Sequence, residues 1–213
     1  VIKTMVMPNP IVIETENEPG DMDYEVPGEH LIVAMGRLSR EKCFDLLIRA
    51  YSSFAAEYSD WNLMILGEGQ ERDSLEALID ELGLGDRVKL PGTIRYPHVM
   101  LKRADMFVSS SELEGFPMAL CEAMACGLPV IATEYHAAVR DIIEDGQNGI
   151  LVPTGDSEAL AAKMIHLIDD PHERKRLAEN SVEIGTRYSV DAVMERWEQL
   201  LNELALHQHQ ASV

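Results

Sequence analysis

The sequence predicts an α/β fold: a doubly wound, parallel Rossmann-like sheet with helices on both faces and a helical C-terminus. Three observations lead there. Short apolar runs recur along the chain, amphipathic stretches of helical period separate them, and the connections between them are short. Strand and helix then alternate at the spacing of βαβ units, which makes the strands parallel and covers both faces of the sheet.

Residues 1–29 precede this pattern. Met7-Pro8-Asn9-Pro10 is followed by a stretch rich in Glu, Asp, Pro and Gly that ends at Pro27-Gly28. Prolines and like charges at this density predict a linker and connecting segment, and the domain proper is expected over residues 30–206. The predicted strands are His30 to Met35, Trp61 to Leu66, Val88 to Leu90, Met106 to Ser109, Pro129 to Ala132 and Gly149 to Val152. Between them, Phe44 to Tyr58 sets Leu47, Ile48, Tyr51, Phe54 and Ala55 on one helical face, and Asp73 to Leu82 does the same with Leu75, Leu78, Ile79 and Leu82. From Ser157 onward the pattern is helical, with breaks at Asp170-Pro171 and near Tyr188-Ser189. The last helix, Val190 to Leu204, aligns Val193, Trp197, Leu200, Leu201 and Leu204; this stripe is expected to pack on its own sheet, the alternative being a domain outside this chain. Residues 207–213 read as a frayed tail.

Composition narrows the function. The chain has 213 residues, 46% of them hydrophobic and 26% charged, as in a globular domain with a sizeable core. Its 18 basic and 37 acidic residues give a formal net charge of -19, which argues against nucleic-acid binding and against an anionic membrane surface. Any phosphate site in so acidic a chain has to be built locally, from a few cations and backbone N–H groups. No apolar run reaches the length of a bilayer span and no secretory pattern opens the chain, so direct membrane insertion is not expected and a cytoplasmic location is. Cys43, Cys121 and Cys126 are expected to be buried free thiols.

In an open parallel sheet, ligands bind at the C-terminal ends of the strands. Three loops lie there. Gly36-Arg37-Leu38-Ser39-Arg40-Glu41-Lys42 puts a glycine and two spaced cations before a helix; alone, this fits a phosphate loop or a solvated basic loop. Gly67-Glu68-Gly69 lacks the rest of a dinucleotide fingerprint and reads most simply as a tight turn. The third loop, Ser109 to Pro117, leads into a helix running from Met118 to Gly127. Pro117 and Gly127 bound that helix sharply, and its free N–H groups form an anion site facing the Arg37 loop. Glu114 precedes the helix and Glu122 lies about one turn inside it. Among Leu120, Cys121, Ala123, Met124 and Ala125, an acid at position 122 needs a partner.

Glu114 to Ala132 resembles the E-G-F-P-x-x-x-x-E-A-M-A-C-G-x-P-V-I-A hallmark of the family 4 retaining glycosyltransferases (group 1 glycosyltransferases). The resemblance extends through Gly36-Arg37-Leu38 with Lys42, Gly67-Glu68-Gly69, Val88-Lys89-Leu90-Pro91-Gly92 and Asp145 to Val152, and Asn9-Pro10 resembles the segment that enters the donor domain. It implies one half of a GT-B fold: the C-terminal, donor-binding domain, with an N-terminal acceptor-binding domain outside this chain. The implied activity is hexosyl transfer from a nucleotide diphosphate sugar, of which a UDP-sugar is expected, to a hydroxyl of a glycan or lipid-linked glycan in polysaccharide biosynthesis. No cofactor and no metal are expected, the nucleotide sugar being a co-substrate.

The resemblance also implies roles. Gly36 lets the backbone turn beneath the donor, and Arg37 and Lys42 pair with the diphosphate, taking a catalytic part together with Glu114. Backbone groups of Phe116, Pro117, Met118, Ala119 and Leu120 cap the diphosphate. Glu122 holds the ribose hydroxyls, Glu114 the hydroxyls of the sugar, and Ile94 and Arg95 line the base. Two departures from the pattern stand out: Ala137 and Ala138 fall where small-residue turns approach the sugar, and Cys43 follows Lys42 where glycine is common, for which a small backbone adjustment is expected. Asp21-Met22-Asp23 has the form of a metal-binding D-x-D but lies in the linker, so no metal role is expected of it. Alternative readings are a sugar-nucleotide epimerase on the same fold, a non-catalytic nucleotide-sugar-binding module, and a nucleotide-binding Rossmann domain unrelated to sugars.

Overall fold

The computed structural model describes residues 7–12 and 28–211, without the side chains of 137–138 and 205–211. Most of the 1–29 linker, including Asp21-Met22-Asp23, therefore lies outside the described residues. Six strands form one sheet: β1 (His30–Met35), β2 (Trp61–Leu66), β3 (Val88–Gly92), β4 (Met106–Ser109), β5 (Val130–Thr133) and β6 (Ile150–Val152). Every pairing is parallel and the order is β3-β2-β1-β4-β5-β6. The chain thus winds one way from β1 to β3 and the other way from β4 to β6. The switch point lies between β1 and β4, where Ile32 sits opposite Met106.

Burial on both faces explains the uninterrupted apolar runs. In β1, Ile32 and Ala34 enter one core, with α1 (Phe44–Ser52), α2 (Arg72–Glu81) and α5 (Ser157–Asp169); Leu31 and Val33 enter the other, with α3 (Pro97–Arg103), α4 (Met118–Ala125) and α7 (Glu183–Arg187). α6 (Pro171–Ser181) follows α5, separated from it by Asp170, whose carboxylate accepts from the Glu173 N–H. Of the linker, Pro8 and Ile11 are buried, and the Ile11 N–H donates to the Tyr188 carbonyl at 2.7 Å, so this part docks on the domain.

Several expectations need correction. The first helix ends at Ser52, and 53–57 form a turn. Arg87 explains this: its guanidinium donates to the carbonyls of Ala55, Tyr58 and Trp61 and to Asn62 Oδ1, holding the chain in a turn that a continuous helix would not present. The short helix α3 lies where the sequence pattern predicts none. α8 runs Val190–Ala211, past the expected end at Leu204 and through much of the predicted tail. Its stripe does not pack on the sheet: Val193 is buried and Leu200 half-buried, but Trp197 is 41%, Leu201 59% and Leu204 52% exposed. Only Cys121 of the thiols is fully buried, its pKa pushed up to about 12 by desolvation; Cys43 and Cys126 are half-buried. No described helix is long and apolar enough to cross a membrane.

Candidate functional site

The loops after β1, β4 and β5 converge beside the switch point. After β1 the chain turns at Gly36, whose N–H donates to the Leu66 carbonyl at 2.9 Å. A Cβ at Gly36 would lie 3.0 Å from Lys42 Cε, so the Lys42 stem passes directly over this glycine. Arg40 to Lys42 form a single 3-10 turn that ends at Cys43 with φ 48 and ψ 42. Cys43 is the only non-glycine residue with positive φ among those described, so the departure from glycine carries backbone strain rather than a small adjustment.

Serine and threonine hydroxyls stitch the loops together. Ser110 Oγ donates to the Lys42 carbonyl at 2.7 Å, and the Glu112 N–H donates to the Glu41 carbonyl at 2.9 Å. From the end of β5, the buried Thr133 hydroxyl donates to the Ser111 carbonyl. At the junction, Lys42 Nζ donates to Glu114 Oε1, and Ser111 Oγ donates to the same oxygen at 2.8 Å. The pair is largely enclosed, with side-chain exposures of 17% for Lys42 and 14% for Glu114. Ser110, Ser111 and Thr133 carried no signal in the sequence beyond lying at strand ends.

α4 begins at the same place. Pro117 occupies its N-cap, ahead of the first helical residue, and supplies no capping side chain. The Met118 N–H bonds back to the Phe116 carbonyl and that of Cys121 to the Pro117 carbonyl, while the Ala119 and Leu120 amides have no hydrogen-bond partner among the described residues and are open donors there. Phe116 packs edge-on against Tyr188 at 5.4 Å, and the Leu120 side chain is buried, so these residues offer backbone rather than side chains.

Two adjoining cavities share Pro97. One, of about 280 Å³, is lined by Met35, Gly36, Arg37, Gly67, Thr93 and Ile94 among others. The other, of about 210 Å³, is lined by Val12, Arg95, Pro97, His98, Leu101, Glu122 and Cys126. Arg37 is exposed at the mouth of the first; Ile94 is 7% exposed and offers it an apolar edge from the core. Arg95 is exposed, its guanidinium 5.2 Å from the Tyr96 ring centre. Glu122 is half-buried in the second cavity, where burial alone pushes its carboxyl pKa above the ordinary 4.5. Glu114 and Glu122 thus belong to different compartments: Glu114 beside Lys42, Glu122 toward α3. His98 also borders the Glu122 cavity.

The glycines after β2 serve close approach. A Cβ at Gly67 would fall 1.9 Å from the Gly36 carbonyl oxygen and one at Gly69 2.2 Å from that of Leu38. Glu68 is held by Arg72 Nε at 2.9 Å. This pair of glycines shapes the cavity wall. The approach of Ala137 and Ala138 to a sugar concerns side chains outside those described.

Residues 24–183 match the family described as glycosyl transferases, group 1. The chain belongs to that family. Among its relatives is the N-acetylgalactosamine-N,N'-diacetylbacillosaminyl-diphospho-undecaprenol 4-alpha-N-acetylgalactosaminyltransferase of Campylobacter jejuni, 33% identical over 69% of this chain and 40% of that one. In structure, the C-terminal domain of the group 1 protein LpcC from Francisella tularensis superposes with a TM-score of 0.70 at 32% identity, over 78% of this chain and 89% of that one. HepE of Anabaena, solved in complex with UDP, gives 0.76 at 27% identity over 83% of this chain and 49% of its own. This group 1 chain spans 18% of the length of an exopolysaccharide phosphotransferase from Streptomyces coelicolor and 57% of that of an uncharacterized glycosyltransferase from Methanocaldococcus jannaschii, so it covers only part of these relatives. Its fold is that of a GT-B C-terminal domain.

Proposed function

We propose that this chain is the donor-binding half of a glycosyltransferase that moves a hexosyl group from a UDP-sugar to a hydroxyl of a glycan or lipid-linked glycan. The observation that carries the reading is the convergence of Arg37, Lys42 and the open amides of α4 at the switch point of a strongly acidic chain. A carboxylate, Glu114, stands beside them. Local positive charge of this kind stabilises the negative charge that grows on a leaving diphosphate as the glycosidic bond breaks. Two cations and a helix N-terminus supply that stabilisation without a metal ion.

The Glu122 cavity suits the nucleoside. Glu122 accepts hydrogen bonds from ribose hydroxyls, Ile94 and the Arg95 loop flank the base, and Glu114 accepts from the sugar hydroxyls. The UDP complex of HepE supports uracil as the base. Retention of anomeric configuration is part of the same proposal and rests on the family 4 motif around Glu114 and Glu122; a cytoplasmic setting is proposed with it, on the sequence pattern alone. The acceptor would bind an N-terminal domain beyond this chain, as the lengths of the relatives suggest.

Calorimetric titration with UDP, GDP and ADP tests the reading. Saturable binding of UDP in preference to the other two is the expected outcome. Preference for ADP or GDP would overturn the choice of base, and binding of none would overturn the donor-site reading of this chain.

A further inference from the structure

Lys42 has two candidate partners in the proposed reaction, the donor diphosphate and Glu114. Its ammonium donates to Glu114 Oε1, although the neighbouring α4 amides mark the adjacent space for an anion. Both side chains are mostly enclosed, and among the described residues Ser111 supplies the one other hydrogen bond to that carboxylate. Bringing a diphosphate to Lys42 therefore strips Glu114 of its countercharge. A mostly enclosed carboxylate left with a single hydroxyl donor is costly, and the cost is relieved when new donors arrive.

We infer that the Lys42–Glu114 pair is an internal occupant of the site that distinguishes a sugar-bearing donor from the spent nucleotide. This rests on the donor-site reading above. The hydroxyls of a donor sugar replace Lys42 as hydrogen-bond donors to Glu114, so the complete donor frees Lys42 for the diphosphate at little net cost. The bare nucleoside diphosphate has no such hydroxyls and leaves Glu114 unpaired. Once the sugar has been transferred, Glu114 draws Lys42 back, which loosens the grip on the product. Glu114 thus acts against binding of the product nucleotide while supporting binding of the donor.

The test uses UDP alone, so it needs no knowledge of the sugar. Titrations compare the unsubstituted chain with Glu114→Gln, which keeps shape and hydrogen bonding but removes the charge, and with Glu112→Gln as a control at the exposed neighbouring carboxylate. Glu114→Gln is expected to tighten UDP binding by roughly three- to tenfold, the scale of one partly enclosed ion pair, while Glu112→Gln changes it little. In a Lys42→Ala background the gain should vanish. A melting curve for each variant confirms that it is folded.

Unchanged or weaker UDP binding by folded Glu114→Gln overturns the inference alone. So does equal tightening by Glu112→Gln, or tightening that persists without Lys42, because either would be a general charge effect. Absence of UDP binding to the unsubstituted chain overturns the donor-site reading and the inference together.

Discussion

Replacing Lys42 by alanine removes one of the two cations on the β1 loop and frees Glu114 from its countercharge. Charge-assisted contacts of this kind contribute about 1.5–3 kcal/mol each, so UDP affinity should fall roughly ten- to a hundredfold, read by calorimetry. Glu122 makes binding depend on pH. Burial raises its pKa in the folded protein, so the proton is held to a higher pH than in the unfolded chain. The stability this gives is fully present below the unfolded pKa and is lost as pH rises through the raised one. A ribose-accepting carboxylate must be ionised, so UDP binding should tighten as pH rises across the same window. Glu122→Gln should lose that step while the parent keeps it, and identical pH profiles would contradict the assignment. Cys43, in the left-handed region at φ 48, should be improved by glycine. A gain of about 1 kcal/mol for Cys43→Gly, seen as a higher Tm, is expected from relief of that strain.

At the level of elements, the strands were legible because a parallel sheet covered on both faces leaves no polar alternation to obscure its apolar runs. β1, β2 and β4 have the bounds read from the sequence, and β3, β5 and β6 shift by a few residues at most. Helix limits were less legible where a distant side chain decides them. The first helix stops at Ser52 because Arg87, arriving just before β3, takes the carbonyls of the following turn. Arg87→Met should cost about 2–3 kcal/mol, since three part-buried carbonyls lose a charged donor at once, and this would appear as a lower denaturant midpoint. α3 was missed because its seven residues carry too little periodicity to separate Pro97-His98-Val99-Met100 from a loop. α8 misled for the opposite reason: a clear stripe states that something covers it, but not that the cover is this sheet.

For the whole molecule, the positions of Glu114, Glu122, Arg37 and Lys42 could be picked from the sequence, but their partnerships could not. Lys42 and Glu114 are 72 residues apart and meet because strand order makes β1 and β4 neighbours. The same order sends Glu122 toward α3 and separates it from Glu114, which their spacing along the chain does not reveal. Glycosyl transfer also needs an acceptor held against the donor and water kept out, which the proposal assigns to a second domain. This chain alone should therefore bind nucleotide yet transfer little or no sugar from a labelled UDP-sugar to a glycan acceptor. Rapid transfer by the isolated chain would show that the acceptor site lies within it.

The central claim is that the Lys42 loop and the Glu122 cavity form one nucleotide site. Its most direct test is calorimetric titration of UDP into the chain and into folded Lys42→Ala and Glu122→Ala. The account predicts one binding event in the parent that both substitutions weaken by about tenfold or more; UDP binding that neither substitution alters would contradict it.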